Sequence, residues 1–122
     1  MKYDLNAPAI KWRVGFGDDP ELAARGITGT GTAGMLNGVI VTASGLLFGA
    51  GRDNQIRAWD TDTGAQLWSS RFGGDFIGSP VMYEMAGRQY LLVPAASAPP
   101  QRPGAASTTP LGWVAYALPV KK

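Results

Sequence analysis

Asp and Trp stand eight positions apart twice in this chain, as Asp4 with Trp12 and as Asp60 with Trp68, and the two copies are 56 positions apart. A shorter echo closes the chain, where Ala115-Tyr116-Ala117 stands 57 positions after Ala58-Trp59-Asp60. A supersecondary unit recurring at such an interval marks a stacked or radial repeat, because each unit can bury its apolar face only against a neighbour. The unit itself reads as strand, tight Asp/Thr/Gly turn, and strand ending in Trp.

Composition narrows the options. Seventeen Gly and nine Pro in 122 residues favour many short strands and turns over long helices, and a hydrophobic content of 45% is enough for a core. The chain has no His and no Cys. That excludes the usual zinc ligand sets, a thiol nucleophile and a His general base. The net charge of +2 is small and its Lys and Arg are scattered, so no basic face for nucleic acid is visible. No apolar run approaches the ~20 residues that span a bilayer. Met1-Lys2-Tyr3-Asp4 is followed by no apolar segment of a secretion signal.

Along the chain, residues 9–14 alternate as a strand. Asp19 suits a helix N-cap, Pro20 the first helical position and Gly26 the C-terminal cap, which predicts one short helix over about residues 19–25. Thr28 to Gly34 forms a Gly/Thr loop. A phosphate cradle would need a helix after it, and a strand follows instead. Strands are then expected over 39–43, 46–50, 55–60 and 66–72, with Ser44-Gly45, Arg52-Asp53-Asn54 and Asp62-Thr63-Gly64 as turns. A new cycle brings strands over 79–84, 89–94 and 113–118, with a Pro/Ala/Ser/Thr loop over 95–110. Four antiparallel strands followed by a new cycle is the layout of a propeller blade. The expected architecture is all-β, about two four-stranded antiparallel blades. Residues 1–14 supply an outer strand of a preceding blade, and 15–37 the short helix and Gly/Thr loop. Residues 38–72 form a complete blade, and 73–122 a last blade lacking its outer strand.

The run Ala58-Trp59-Asp60-Thr61-Asp62-Thr63-Gly64-Ala65-Gln66-Leu67-Trp68 resembles the tryptophan-docking motif of the quinoprotein alcohol and glucose dehydrogenases, Ala-x-Asp-x-x-Thr-Gly-x-x-x-Trp. The residue types have a local logic. Asp and Thr bond turn amides, Gly permits positive φ, and the small Ala leaves room for an indole. The segments Pro20 to Thr32, Val41 to Phe48, Asp53 to Ala58, Ser79 to Tyr83, Gly87 to Tyr90 and Val114 to Pro119 are similar to the same family, in order. The resemblance implies an eight-bladed propeller in a periplasmic parent protein. That parent would bind pyrroloquinoline quinone (PQQ) and calcium and oxidise an alcohol or sugar by hydride transfer. The family's catalytic Asp and its calcium-ligating Glu and Asn match nothing in this chain, so no catalytic residue and no metal ligand is carried over. Leu36, Asn37 and Gly38 fall where the family places an apolar residue and a Gly pair beside the quinone. Asn37 stands in place of the first Gly of that pair. In the first repeat Ala7-Pro8 replaces Thr-Gly, which predicts a differently built turn.

The remaining candidates have plain structural roles. Trp12 and Trp68 are expected to pack blade on blade, and Asp4 and Asp60 to bond their turns rather than a metal. Asp18, Asp19 and Asp75 could offer calcium oxygens, but a cap and solvated turns account for them. Arg52 and Arg88 read as surface charges. The expected role is a C-terminal propeller piece of a quinoprotein dehydrogenase, inactive and without cofactor by itself. A piece of a non-catalytic propeller used as a binding or assembly scaffold is the alternative. Its partners are the remaining blades of the parent or further copies of itself, the strand over 9–14 pairing with the strand over 113–118 of a second copy.

Overall fold

The chain folds, in a computed structural model, into three antiparallel sheets and one short helix, described for residues 1–32, 38–51, 53–71, 75–76, 78–96 and 112–119. The fold is all-β apart from that helix, in agreement with the sequence reading. Residues 1–14 hold two strands rather than the single outer strand expected: β1 (Lys2–Asp4) pairs with β2 (Ala9–Trp12) as a hairpin. The motif frame contains the first strand, but three residues of mixed polarity carry no periodic signal of their own.

Helix α1 (Pro20–Ala24) follows, closed at both ends by its sequence. Asp19 Oδ1 accepts from the amides of Glu21 and Leu22, both at 3.0 Å. At the other end Gly26, at φ +78°, donates to the Ala23 carbonyl while the Ile27 amide reaches the Leu22 carbonyl. That is the paired closure a left-handed Gly permits.

The central sheet is a meander of β3 (Val39–Val41), β4 (Leu46–Ala50), β5 (Gln55–Asp60) and β6 (Gln66–Arg71) in the order β3-β4-β5-β6. All four expected strands are present. The second sheet contains β7 (Asp75–Phe76), β8 (Val81–Met85), β9 (Arg88–Ala96) and β10 (Gly112–Ala117). Strand β9 extends beyond its expected end, into the start of the expected loop. It is the spine of its sheet, with β10 along one edge and β8 and β7 sharing the other. Strand β7 ends opposite Ala95 and β8 begins opposite Leu92, and residues 78–80 belong to neither strand, so the first strand of this blade is interrupted. Pro80, which has no amide to give a ladder, lies in that break.

The core lies between the two larger sheets. Ala50 and Ile56 of the central sheet meet Phe76, Leu91, Val93 and Ala95 of the second, with Ile40, Phe48, Met82, Val114 and Tyr116 packed around them. Period-2 alternation sends the other side chains of β4 and β5 to the opposite face, where Phe16 stacks on Trp59 with ring centroids 5.4 Å apart. A side chain on Gly49 would meet that Phe16 ring at 2.6 Å, so Gly49 is where the phenyl is admitted.

The outward faces stay apolar. Val39 and Val41 are exposed on one side of the pair of sheets, and Val81, Tyr83, Met85 and Trp113 on the other. Strand β10 has β9 on one edge and no strand on its other edge among the described residues. Strand β1 takes one edge of β2, so the pairing expected between the strand over 9–14 and β10 of a second copy would have to use the other edge. Moreover Lys2-Tyr3-Asp4 and Ala115-Tyr116-Ala117 hold the same position in the repeat, so the hairpin duplicates a strand that β10 already supplies.

Candidate functional site

Strand direction gives the central sheet two ends with different chemistry. At one end lie the 42–45 and 61–65 turns, and at the other the 51–54 turn and the start of β3.

The first end is a docking seam. Asp60 Oδ1 accepts from the amides of Asp62 and Thr63 at 2.9 and 2.8 Å and from the Thr63 hydroxyl at 2.9 Å. Asp4, 56 positions earlier, accepts in the same way from the amides of Asn6 and Ala7 at 3.0 and 3.4 Å. The first turn keeps the Asp anchor but is built differently, as expected: the bonds of the Thr hydroxyl are missing, and Pro8, at the place of Gly64, has no amide to donate as Gly64 does to the Asp60 carbonyl. Both carboxyls are held below the ordinary value of 3.8. For Asp60 the main cause is the Thr63 amide, then its hydroxyl; for Asp4 it is Lys11, then the Asn6 and Ala7 amides. Onto the 60–64 turn docks the indole of Trp12. Its Nε1 donates to the Thr61 carbonyl at 2.9 Å, and a side chain on Gly64 would meet its ring at 2.7 Å. Gly64 sits at φ +75°, and Lys2 Nζ reaches Asp62 at 2.8 Å across the same seam.

Trp68, the second copy of the motif Trp, behaves differently. It meets Tyr116 edge-on, with ring centroids 5.5 Å apart, and 39% of it is exposed. Beside it a cleft of about 520 Å³ opens between the two sheets, lined among others by Leu46, Phe48, Met82, Leu91 and Leu118.

The second end is closed by residues 15–32, folded over the sheet. Arg57 is buried and forks onto both oxygens of Asp53, whose side chain is 8% exposed. Asp53 also accepts from the Asp18 amide at 3.3 Å, and Asp18 Oδ1 from the Gly29 amide at 2.5 Å. Asp18 and Asp19 are thereby committed to backbone amides. Thr32 Oγ1 is buried beside this pair without a hydrogen-bond partner among the described residues. The sequence reading missed the pair. Its signal is Asp and Arg at i and i+4 across a strand turn, which alone looks like ordinary alternation.

Gly38 opens β3 at this end. Its amide donates to the Gly78 carbonyl at 2.8 Å, and the space where its side chain would stand is filled by Ser79, with Oγ at 1.9 Å and Cα at 2.8 Å. The two segments therefore approach closely here, and Gly is the residue that lets them. Leu36, Asn37 and Arg52 lie outside the described residues, as does the side chain of Asp75. Arg88 is not the free surface charge expected. Its guanidinium lies over the Tyr90 ring and donates to the Leu118 carbonyl at 2.7 and 3.1 Å. Among the described residues no three of His, Cys, Asp and Glu are grouped to hold a metal ion. The one described candidate for the quinone's side, Gly38, has its open side taken by Ser79. With Leu36 and Asn37 outside the described residues, the described ones assign no chemical step to quinone or calcium.

Residues 1–91 match the family described as the glucose/ethanol/alcohol dehydrogenase β-propeller domain, designated PQQ. The chain is 33% identical over 126 aligned residues to quinoprotein glucose dehydrogenase A of Acinetobacter calcoaceticus, covering 98% of this chain and 15% of that protein. It is 37% identical over 88 residues to the quinoprotein glucose dehydrogenase of Escherichia coli (strain K12), 70% of this chain and 10% of the relative. It is 43% identical over 56 residues to lupanine 17-hydroxylase [cytochrome c] of Pseudomonas sp, 46% and 8%. The chain thus spans between 8 and 15% of the length of these relatives. The repeat, the Asp-anchored turns, the docked indole and these matches agree: the chain belongs to the β-propeller family of the quinoprotein glucose and alcohol dehydrogenases.

Proposed function

We propose that this chain supplies about two blades, toward the C-terminal side, of an eight-bladed propeller in a quinoprotein dehydrogenase. The parent would oxidise an alcohol or sugar with PQQ, which accepts the hydride when bound, and with calcium, in the periplasm. The observation that carries the reading is the match to a quinoprotein glucose dehydrogenase along 98% of this chain, when that protein is several times longer. The two exposed apolar faces support it, since each is the kind of surface that the internal seam buries.

In this reading the chain's part is structural. Trp12, Gly64 and the two Asp turns lock sheet to sheet, and the Asp53–Arg57 pair fixes residues 15–32 over the opposite end. Leu36, Asn37 and Gly38 are proposed as the chain's share of the cofactor side, on the strength of the resemblance alone. The remaining blades of the parent are the partner that completes both faces. The chain by itself is proposed to be inactive and to associate with further copies through those faces.

A second reading, a non-catalytic propeller serving as an assembly scaffold, is favoured by one observation: Ser79, not open space, faces Gly38. The test that separates the readings reads the gene through its flanking sequence and expresses the complete protein. The protein is reconstituted with pyrroloquinoline quinone and calcium, and dye reduction is followed with a panel of alcohols and aldoses. Quinone-dependent reduction supports the first reading. A complete protein that binds no quinone establishes the second.

A further inference from the structure

Two seams in this chain begin from the same motif Trp, but their acceptor carbonyls are held by different donors. At the first, the Trp12 indole holds the Thr61 carbonyl. The repeat spacing of 57 places Leu118 where Thr61 stands, and Trp68 is the Trp of the preceding motif. The equivalent bond would run from the Trp68 indole to the Leu118 carbonyl. That carbonyl is instead occupied by the two donors of Arg88, at 2.7 and 3.1 Å. A carbonyl oxygen has two lone pairs, so this forked contact leaves none for an indole. The Trp68 indole N–H makes no hydrogen bond to a described residue, and the ring turns to the edge of Tyr116.

We propose that the Leu118 carbonyl is a two-state docking seat, held by Arg88 in the open seam and by Trp68 in the closed one. The room for the exchange is present, because Trp68 and Leu118 line the same cleft of about 520 Å³. Arg88 has somewhere to go, since its guanidinium already lies over the Tyr90 ring at 5.4 Å from the centroid. The two states differ by little. Each offers hydrogen bonds to one exposed carbonyl and one aromatic contact, so a single side chain can tip the balance. Arg88 is thus a latch that keeps the second seam undocked, while the first, whose acceptor has no Arg on it, is docked. This goes beyond the proposed dehydrogenase role and does not depend on it.

The test uses the whole chain with 15N-labelled Trp, whose four indole N–H signals are assigned through Trp→Phe variants. In the wild-type chain the Trp68 indole proton is expected to exchange with D2O about tenfold faster than that of Trp12, the worth of one ordinary hydrogen bond. Arg88→Met, which keeps the length and removes every donor, should slow the Trp68 proton toward the Trp12 rate and leave Trp12 unchanged. Arg88→Lys should give an intermediate rate, and it stands in for Arg88→Met if that variant does not fold. A Trp68 proton as protected as Trp12's in the wild type overturns the proposal without any variant. So does a folded Arg88→Met or Arg88→Lys chain in which the Trp68 rate does not fall.

Discussion

Trp12 sits against Gly64 so closely that a methyl group on Gly64 would come within 2.7 Å of the indole Cδ2 and 3.1 Å of its Cγ. The two residues are 52 positions apart, in different sheets. Gly64→Ala meets two penalties at once, a left-handed backbone costing about 1–2 kcal/mol and a displaced ring. Trp12→Phe should cost about 1 kcal/mol for the lost bond to Thr61, plus lost packing. Because both changes spoil one contact, the double variant should lose less than the sum. Urea midpoints of the four chains measure this, and strict additivity would show that the two residues are not coupled.

The Asp53–Arg57 pair predicts an asymmetry. Asp53→Ala leaves a buried guanidinium unpaired and should cost about 3–5 kcal/mol. Replacing both, as Asp53→Leu with Arg57→Met, should cost less than the single change. Since Asp53 also receives the Asp18 amide, Asp53→Ala should in addition speed amide exchange at Gly31 and Thr32, which bond Gly17 and Phe16 across the folded-over segment. Thermal melts and exchange rates check the two halves separately. A single variant as stable as the double would remove the burial argument.

Acid should reach the Asp turns late, because both carboxyls keep their charge below the ordinary value. The Asp60 carboxyl is depressed below 3.8 by the Thr63 amide and hydroxyl, and Asp4 by Lys11 and its own turn amides. A depressed folded value gives stability that is fully present above the unfolded value and is lost as pH falls through the folded one. The turns are therefore intact at neutral pH and loosen below about pH 4. Asp60→Asn should flatten the stability profile in that acid window and leave its shape unchanged at higher pH. Stability that falls equally steeply for Asp60→Asn and wild type would contradict the assignment.

Association is expected for the isolated chain. Val81, Tyr83, Met85 and Trp113 form one exposed apolar face, and Val39 and Val41 another. Sedimentation velocity should show mass rising with concentration, and Tyr83→Lys with Trp113→Lys should lower it. A wild-type chain that stays monomeric across the concentration range would dismiss these faces as sticking surfaces.

Much of this architecture is written in local chemistry. Asp19, Pro20 and Gly26 mark α1 because each solves a backbone problem within one turn. The strands of the central sheet follow from alternation bounded by Gly and Asn. The Asp60 turn is recoverable because its donors lie two and three residues away. What the sequence hides is set by distant parts. Arg57 looks like a polar alternate position until residues 15–32 cover it, and β7 is two residues long, too short for any period. Arg88 reads as a surface charge because its acceptor lies 30 positions away. Gly38 has a plain signature, but only the structure shows that Ser79 fills the space beside it. Leu36 and Asn37 rest on resemblance alone.

The meander of β3 to β6 also has a kinetic meaning. Each of its strands pairs with the one next along the chain, so every closure is short and entropically cheap. Strand β10 must instead find β9 across the fifteen residues that separate them. We expect the meander to form first, with β10 joining later. Pulse-labelled amide exchange during refolding should protect Ile56 and Ala58 before Val114 and Tyr116. The seam that Arg88 guards would then be the last one made and the first one opened.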